Sequence, residues 1–243
     1  VRGGIDTAVI MAGGMGLRLR PYTSVLPKPL MPLGNMSVIE ILIRQLRSDG
    51  INRFFISVGY LSHLVKAVLD NIEFDGAELT YFYESKPLGT CGALPGIGNA
   101  LPERFLVANG DLLSDYPVSV LLEQHANSEA AITIGTQWKT ESISYGVLER
   151  CSKGLVVNYK EKPEHRYELS IGLYAMERWC VEEYLSLGES ADMPDLINTL
   201  LSNEIQVGAV PVDCSWIDIG KPEEYLCAQE LFDSEPERFL NVR

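Results

Sequence analysis

Apolar residues recur in two rhythms along the first half of this chain. Runs rich in β-branched and aromatic residues at 7–11, 53–58, 78–83 and 104–108 predict strands. Between the first two, Val38, Ile39, Leu42, Ile43 and Leu46 fall at helical spacing and stop near Gly50, a residue suited to end a helix. That order is a βαβ unit, and helices predicted at 61–70 and 118–126 continue the alternation. Strands that alternate with amphipathic helices build a parallel sheet with helices on its faces.

Beyond about residue 128 the rhythm changes. Strands predicted at 131–136, 145–148, 155–159 and 169–175 follow one another without a full helix between each pair, which points to an antiparallel lobe. Helices return at 178–186 and 193–202, followed by a strand at 205–212 and a last helix at 222–232. The predicted fold class is α/β: a Rossmann-like, mixed, mostly parallel sheet flanked by helices, with a small antiparallel lobe. A length of 243 residues with 46% hydrophobic content supports one core, so a single domain over 1–243 is expected, in halves of about 1–127 and 128–243. No short tandem repeat interrupts it.

Charge acts mainly by exclusion. Lys and Arg number 20 against 33 Asp and Glu, a formal balance of −13, the wrong sign for gripping a nucleic-acid backbone. No apolar run approaches the roughly 20 residues that span a bilayer, and Val1-Arg2-Gly3-Gly4 lacks the regions of a signal peptide, so no membrane partner is expected. The five cysteines are odd in number and scattered, which fits a reducing, cytoplasmic compartment. His63, His125 and His165 show no zinc spacing and read as surface residues. Trp138 and Trp179 read as packing residues, with Trp216 the exception because it adjoins Asp218. A start at Val1 rather than Met leaves room for an upstream regulatory segment, and a homo-oligomer stays open.

Candidate chemistry begins directly after the first strand, with Ala12-Gly13-Gly14-Met15-Gly16-Leu17-Arg18 and then Pro27-Lys28-Pro29-Leu30. Ligands of open α/β sheets sit at the carboxyl ends of strands, where glycines let backbone N–H groups approach phosphate oxygens. No Gly-Lys-Ser/Thr follows, and Leu19 stands where the last glycine of G-x-G-x-x-G belongs, which weakens kinase, GTPase and dinucleotide readings. What remains is a glycine loop with two cations, Arg18 and Lys28, able to address one triphosphate. Asn109-Gly110-Asp111 brings a carboxylate to the same sheet edge, where a hard cation is expected, and Asp218 in Trp216-Ile217-Asp218-Ile219-Gly220 is its companion. Taken singly, the first also reads as a turn and the second as the N-cap region of a helix. In Glu84-Ser85-Lys86-Pro87-Leu88-Gly89-Thr90-Cys91-Gly92, Gly89 and Gly92 would let the backbone approach a flat base; a plain turn before a helix reads nearly the same.

The run 12–30 resembles the signature of the sugar-1-phosphate nucleotidyltransferase family, nearest in character to mannose- or heptose-1-phosphate guanylyltransferases. The resemblance implies an enzyme that joins an NTP to a sugar 1-phosphate and releases pyrophosphate. By it, Ala12, Gly13, Gly14 and Gly16 wrap the triphosphate, with Glu84, Gly89, Thr90 and Asn109 also on the nucleotide. Arg18 and Lys28 would stabilise charge during transfer, and Asp111 and Asp218 would hold Mg2+. The antiparallel lobe would bind the sugar phosphate through Gly146, Glu161, Lys162 and Ser170. Similar Pro-Leu-Gly-Thr-x-Gly segments occur with guanine and with uracil, guanine being the leading choice. Two positions depart from the family pattern: Leu17 replaces a usual Thr or Ser, and Ser170 a usual Asn. The alternatives are a cytidylyl- or uridylyltransferase acting on another phosphorylated acceptor, and a catalytically silent subunit that binds nucleotide sugar.

Overall fold

The structure, a computed structural model, describes residues 4–240. The start at Val1-Arg2-Gly3, read above for a signal peptide and an upstream segment, lies outside the described residues. The first half runs β1 (Thr7–Ala12), β2 (Pro32–Leu33), β3 (Met36–Ser37), α1 (Val38–Ser48), β4 (Arg53–Val58), α2 (Ser62–Leu69), β5 (Glu78–Tyr83), α3 (Leu94–Ile97), β6 (Arg104–Asn109), β7 (Leu112–Ser114) and α4 (Val118–Ala126). The second half continues with β8 (Ile132–Ser142), β9 (Val147–Arg150), β10 (Val156–Lys160), β11 (Glu164–Glu177), α5 (Arg178–Tyr184), α6 (Met193–Ser202), β12 (Val207–Pro211), β13 (Trp216–Asp218), α7 (Pro222–Ser234) and α8 (Pro236–Leu240).

Seven strands form the central sheet in the order β12-β8-β11-β6-β1-β4-β5. β6, β1, β4 and β5 are parallel, whereas β11 runs antiparallel to both β6 and β8. The expected mixed, mostly parallel sheet is therefore present. Helices cover both faces, so alternate residues of one strand enter different cores: Ala8, Ile10 and Ala12 pack on one side of β1, and Val9 on the other. That is why β1 and β6 read as unbroken apolar runs. Each such Ile or Phe, fully buried, contributes about 1.5–3 kcal/mol.

Local chemistry sets the helix ends. The Ser37 hydroxyl accepts a hydrogen bond from the Glu40 N–H at 3.3 Å and so caps α1. At its other end Gly50 N–H bonds Arg47 C=O and Ile51 N–H bonds Leu46 C=O, at 3.1 and 3.0 Å, the paired closure of a Schellman motif. Leu46 and Ile51 are both buried in the same core cluster, which completes it.

The predicted strands at 131–136 and 169–175 prove much longer. β11 pairs β6 only from Leu173 to Glu177, while Glu164–Ser170 continues to pair Thr136–Ser142 of β8 beyond the sheet. This ribbon, with the β9–β10 hairpin between its strands, is the antiparallel lobe, here called the arm. It is exposed: Tyr145, Leu148, Leu155, Val156, Val157 and Tyr159 all face solvent. Trp138, read as a packing residue, is exposed as well and carries the Arg166 guanidinium 4.4 Å over its ring.

One further expectation is corrected. His125, read as a surface residue, is fully buried at the root of the arm, with Nδ1 2.8 Å from Thr133 Oγ1. A third cluster, absent from the sequence reading, joins Leu19, Leu113 and Ile219 to Tyr225, Phe232 and Phe239 of the last two helices. The sequence reading had no α8 and none of the two- and three-residue strands. Among the described residues no helix is long and apolar enough to cross a membrane.

Candidate active site

β1 delivers Ala12 to the carboxyl edge of the sheet, and the chain turns there through Gly13, Gly14 and Gly16. Thr23 donates to the Gly16 carbonyl at 2.7 Å, pinning the loop onto the segment that follows. A 3-10 turn, Leu17–Leu19, buries Leu19 in the third cluster and leaves Arg18 and Leu17 exposed. A further such turn, Lys28–Leu30, follows Pro27, whose extended backbone ends the preceding segment. Burial of Leu30 and Pro29 fixes Lys28, whose side chain is only 11% exposed.

Lys28 is the point of convergence. Its ammonium donates to Asp111 Oδ2 and lies 3.5 Å from Asp218 Oδ1, although the two aspartates are 107 residues apart in sequence (218 − 111). A two-stranded ladder brings them together: Asp111 immediately precedes β7, Asp218 ends β13, and Ile219 N–H bonds the Asp111 carbonyl at 3.2 Å. Arg18 lies near Asp218. A Cβ added to Gly220 would stand 3.3 Å from Asp218 Oδ2 and 3.6 Å from an Arg18 guanidinium nitrogen.

This donor set suits a hard divalent ion. Two carboxylates already converge on one cationic group, and among the described residues no third His, Cys, Asp or Glu joins them. Magnesium takes one or two protein carboxylates and completes its shell with phosphate oxygens and water, which is the set this edge offers to a phosphorylated ligand.

Beside the pair opens a cleft of about 260 Å³. Its wall contains Ala12, Gly13, Gly14, Lys28, Glu84, Gly89, Thr90, Asn109 and Asp111, so nine of the residues named from the sequence meet there. Glu84 is held rather than free: Ser57 donates to Oε1 at 2.7 Å and the Leu88 N–H to Oε2 at 3.1 Å. Gly13 rests on this carboxylate, since a Cβ there would fall 2.2 Å from Oε1.

The Leu88-to-Gly92 segment has a partner that sequence reasoning missed. Cys91 and Gly92 N–H groups both bond the Ala191 carbonyl, at 3.0 and 3.2 Å, and Ala191 N–H bonds Leu88 C=O at 2.9 Å. Asp192 accepts from Thr90 N–H at 2.9 Å, while Thr90 Oγ1 accepts from Met193 N–H at 2.7 Å and caps α6. Gly89, at φ +78°, presses on Ala191 O, which a Cβ would approach to 2.5 Å. The glycine thus serves this clasp as well as any base. One signal was readable: Asp192 stands before Met193-Pro194, the composition of a helix start. Burial, with Asp192 and Asp195 nearby, pushes the Cys91 thiol up to about 12, so it is inert at neutral pH.

The sugar-side residues lie apart from the cleft wall. Gly146 packs against a Tyr159–Glu161 pair in the arm, with the Tyr159 hydroxyl donating to Glu161 Oε2 at 2.5 Å. Lys162 holds a left-handed backbone, φ +45°, unusual for a side chain of its size. Ser170 donates to the Tyr174 hydroxyl at 3.1 Å, just before the register of β11 shifts. Within that shift Gly172, at φ +82°, lies against Asn109, whose Nδ2 would be 2.6 Å from an added Cβ. The arm therefore joins the cleft through Gly172 and Asn109, a link with no counterpart in the sequence reading.

The model of the nucleotidyl transferase family matches residues 7–235. A D-glycero-alpha-D-manno-heptose 1-phosphate guanylyltransferase of Aneurinibacillus thermoaerophilus is 31% identical over 227 residues, covering 92% of this chain and 96% of that protein. A UTP--glucose-1-phosphate uridylyltransferase of Synechocystis is 29% identical over 237 residues, covering 90% of this chain and 61% of that protein. The mannose-1-phosphate guanylyltransferase catalytic subunit beta of Drosophila pseudoobscura is likewise 29% identical, over 93% of this chain and 62% of its own length. This chain thus spans about three fifths of those two relatives. Among solved structures, HddC from Yersinia pseudotuberculosis complexed with GMP-PN superposes with a TM-score of 0.72 at 22% identity, covering 94% of this chain and 100% of that one. A putative glucose-1-phosphate thymidylyltransferase from Bacillus anthracis gives 0.74 at 21%, over 98% and 96%. With the family model covering nearly all of a chain whose glycine loop, paired cations and paired aspartates meet at one sheet edge, this protein belongs to the nucleotidyl transferase family.

Proposed function

We propose that this chain joins an NTP, GTP in first place, to a sugar 1-phosphate and releases pyrophosphate, in the cytoplasm and with magnesium. The carrying observation is the convergence of Lys28, Asp111, Asp218 and Arg18 beside a cleft floored by the glycine loop. In the reaction a sugar-phosphate oxygen attacks the α-phosphorus in line; the new P–O bond forms as the bond to the β-phosphate breaks. That oxygen is ionised near neutral pH and needs no protein base, which agrees with a Glu84 carboxylate already engaged by Ser57 and Leu88.

Asp111 and Asp218 would hold the magnesium ion, which when bound supplies charge neutralisation at phosphate oxygens. Lys28 and Arg18 place positive charge where the transition state spreads negative charge over oxygen, and the loop N–H groups orient the triphosphate. Guanine is favoured because the relative matched over 96% of its length is named a guanylyltransferase, as is the fly relative. On the arm, Lys162 would meet the sugar phosphate and Glu161 the sugar hydroxyls.

Pyrophosphate release tests this reading, measured with magnesium across GTP, UTP, dTTP, CTP and ATP, each paired with hexose, hexosamine and heptose 1-phosphates. Release that requires one NTP and one sugar phosphate is the expected result. Tight nucleotide binding with no release for any pair would refute it and favour the silent subunit.

A further inference from the structure

The β7–β13 ladder is closed at its far end by a bond network that the mechanism above does not use. Asp115 follows β7 and Ser215 precedes β13, so they face each other where the two strands separate. Asp115 N–H bonds the Ser215 carbonyl at 3.1 Å, and Asp115 Oδ1 accepts the Ser215 N–H at 2.6 Å. The second oxygen, Oδ2, receives the Arg238 guanidinium from α8. Arg238 in turn is steadied by Glu235 at 3.1 Å. The same helix inserts Phe239 into the cluster that holds Leu113 of β7, Ile219 after β13 and Leu19 beside Arg18.

A three-residue, two-stranded ladder has little stability of its own. Its hydrogen bonds and side contacts must fix the offset between its strands, and that offset sets the separation of Asp111 and Asp218. We propose that Arg238 is a positioning residue for the metal pair: through Asp115 it locks the β7–β13 register, so α8 governs how tightly the two catalytic-edge aspartates hold a divalent ion. The proposal rests on the assignment of Asp111 and Asp218 as metal ligands. Partners one shell beyond metal ligands commonly alter affinity 10- to 100-fold, and this more distant brace is placed at the low end, about tenfold.

The test compares Arg238→Met, Arg238→Lys and Leu240→Ala in the full chain, with Mn2+ binding read, in the absence of nucleotide, by the loss of its free paramagnetic signal. Leu240 packs on the same cluster, has no polar side-chain atom to bond Asp115, and controls for loosened packing. Arg238→Met should bind Mn2+ about tenfold more weakly than wild type, Arg238→Lys within about threefold of it, and Leu240→Ala as wild type at a lower melting temperature. Should Arg238→Met fail to fold, Asp115→Asn replaces it: it keeps an acceptor for Ser215 but removes the charge, and Mn2+ binding should again weaken. Wild-type affinity in the folded variant, equal weakening in Leu240→Ala, or no Mn2+ binding by the wild type overturns the proposal. Because binding needs no turnover, a protein that binds Mn2+ yet releases no pyrophosphate refutes the transferase reading alone.

Discussion

The cleft and the arm carry the two halves of one candidate site on opposite terms. Around the cleft, three of the named side chains are each held by two partners: Glu84 by Ser57 and Leu88, Thr90 by Asp192 and Met193, Lys28 by two aspartates. On the arm, Gly146, Glu161 and Lys162 sit on a hairpin whose apolar residues face solvent, Tyr145 being 78% exposed. The difference teaches which half is built before substrate arrives. A preorganised phosphate edge lowers the cost of charge development, whereas under the proposed function an exposed two-stranded arm would contribute selectivity by contacts made with the substrate in place.

The largest expected effect tests the rigid half. Arg18→Ala and Asp111→Ala should each lower turnover by about 100- to 1,000-fold, with thermal melting little changed, because each removes charge stabilisation at the transition state. Wild-type rates in either variant at unchanged melting would break the comparison at its centre. Next comes the root of the arm, where burial, aided by Arg104, depresses the His125 imidazole to about 4. The Glu177 carboxylate 3.7 Å away would favour the charged ring, but Arg104 already binds it at 2.6 Å. A depressed folded value means that the unfolded chain binds more protons, so stability is complete above about pH 6.5 and is lost as pH falls toward 4, by about 3 kcal/mol. Urea unfolding at pH 7, 5.5 and 4 should show this slope in wild type and a shallower one in His125→Gln.

Smaller effects sharpen the boundary between the halves. Gly89→Ala must place a side chain at φ +78° against Ala191 O. It should cost about 1–3 kcal/mol in unfolding free energy and raise the KM for the nucleotide more than for the sugar phosphate. Lys162→Ala should raise the KM for the sugar 1-phosphate about tenfold, leave the KM for the NTP unchanged and barely alter melting. Equal changes in both KM values would mean that arm and cleft act as one rigid unit.

The particular residues that could be read in advance share one trait: their signals are local. β4, β5, α4 and α6 appear at 53–58, 78–83, 118–126 and 193–202, as their periodicity predicts. Hidden from that reading were the length of β8 and β11, the His125 burial, the Thr90–Asp192 clasp and the ladder that joins Asp111 to Asp218. None of these has a periodic signature. β7 and β13 are three residues each, too short for alternation to show, and their partners lie about a hundred residues away in sequence.

By itself the sequence determined the α/β alternation, the glycine loop with its two cations, and the two carboxylates at strand ends, because turn chemistry and hydrophobic period act within a few residues. Only the tertiary structure decided that Lys28 lies between Asp111 and Asp218, that Asp192 holds Thr90, and that Arg238 braces the ladder. Those contacts are long-range pairings, fixed when packed layers bring distant strands together, and no local pattern encodes where two such strands will meet.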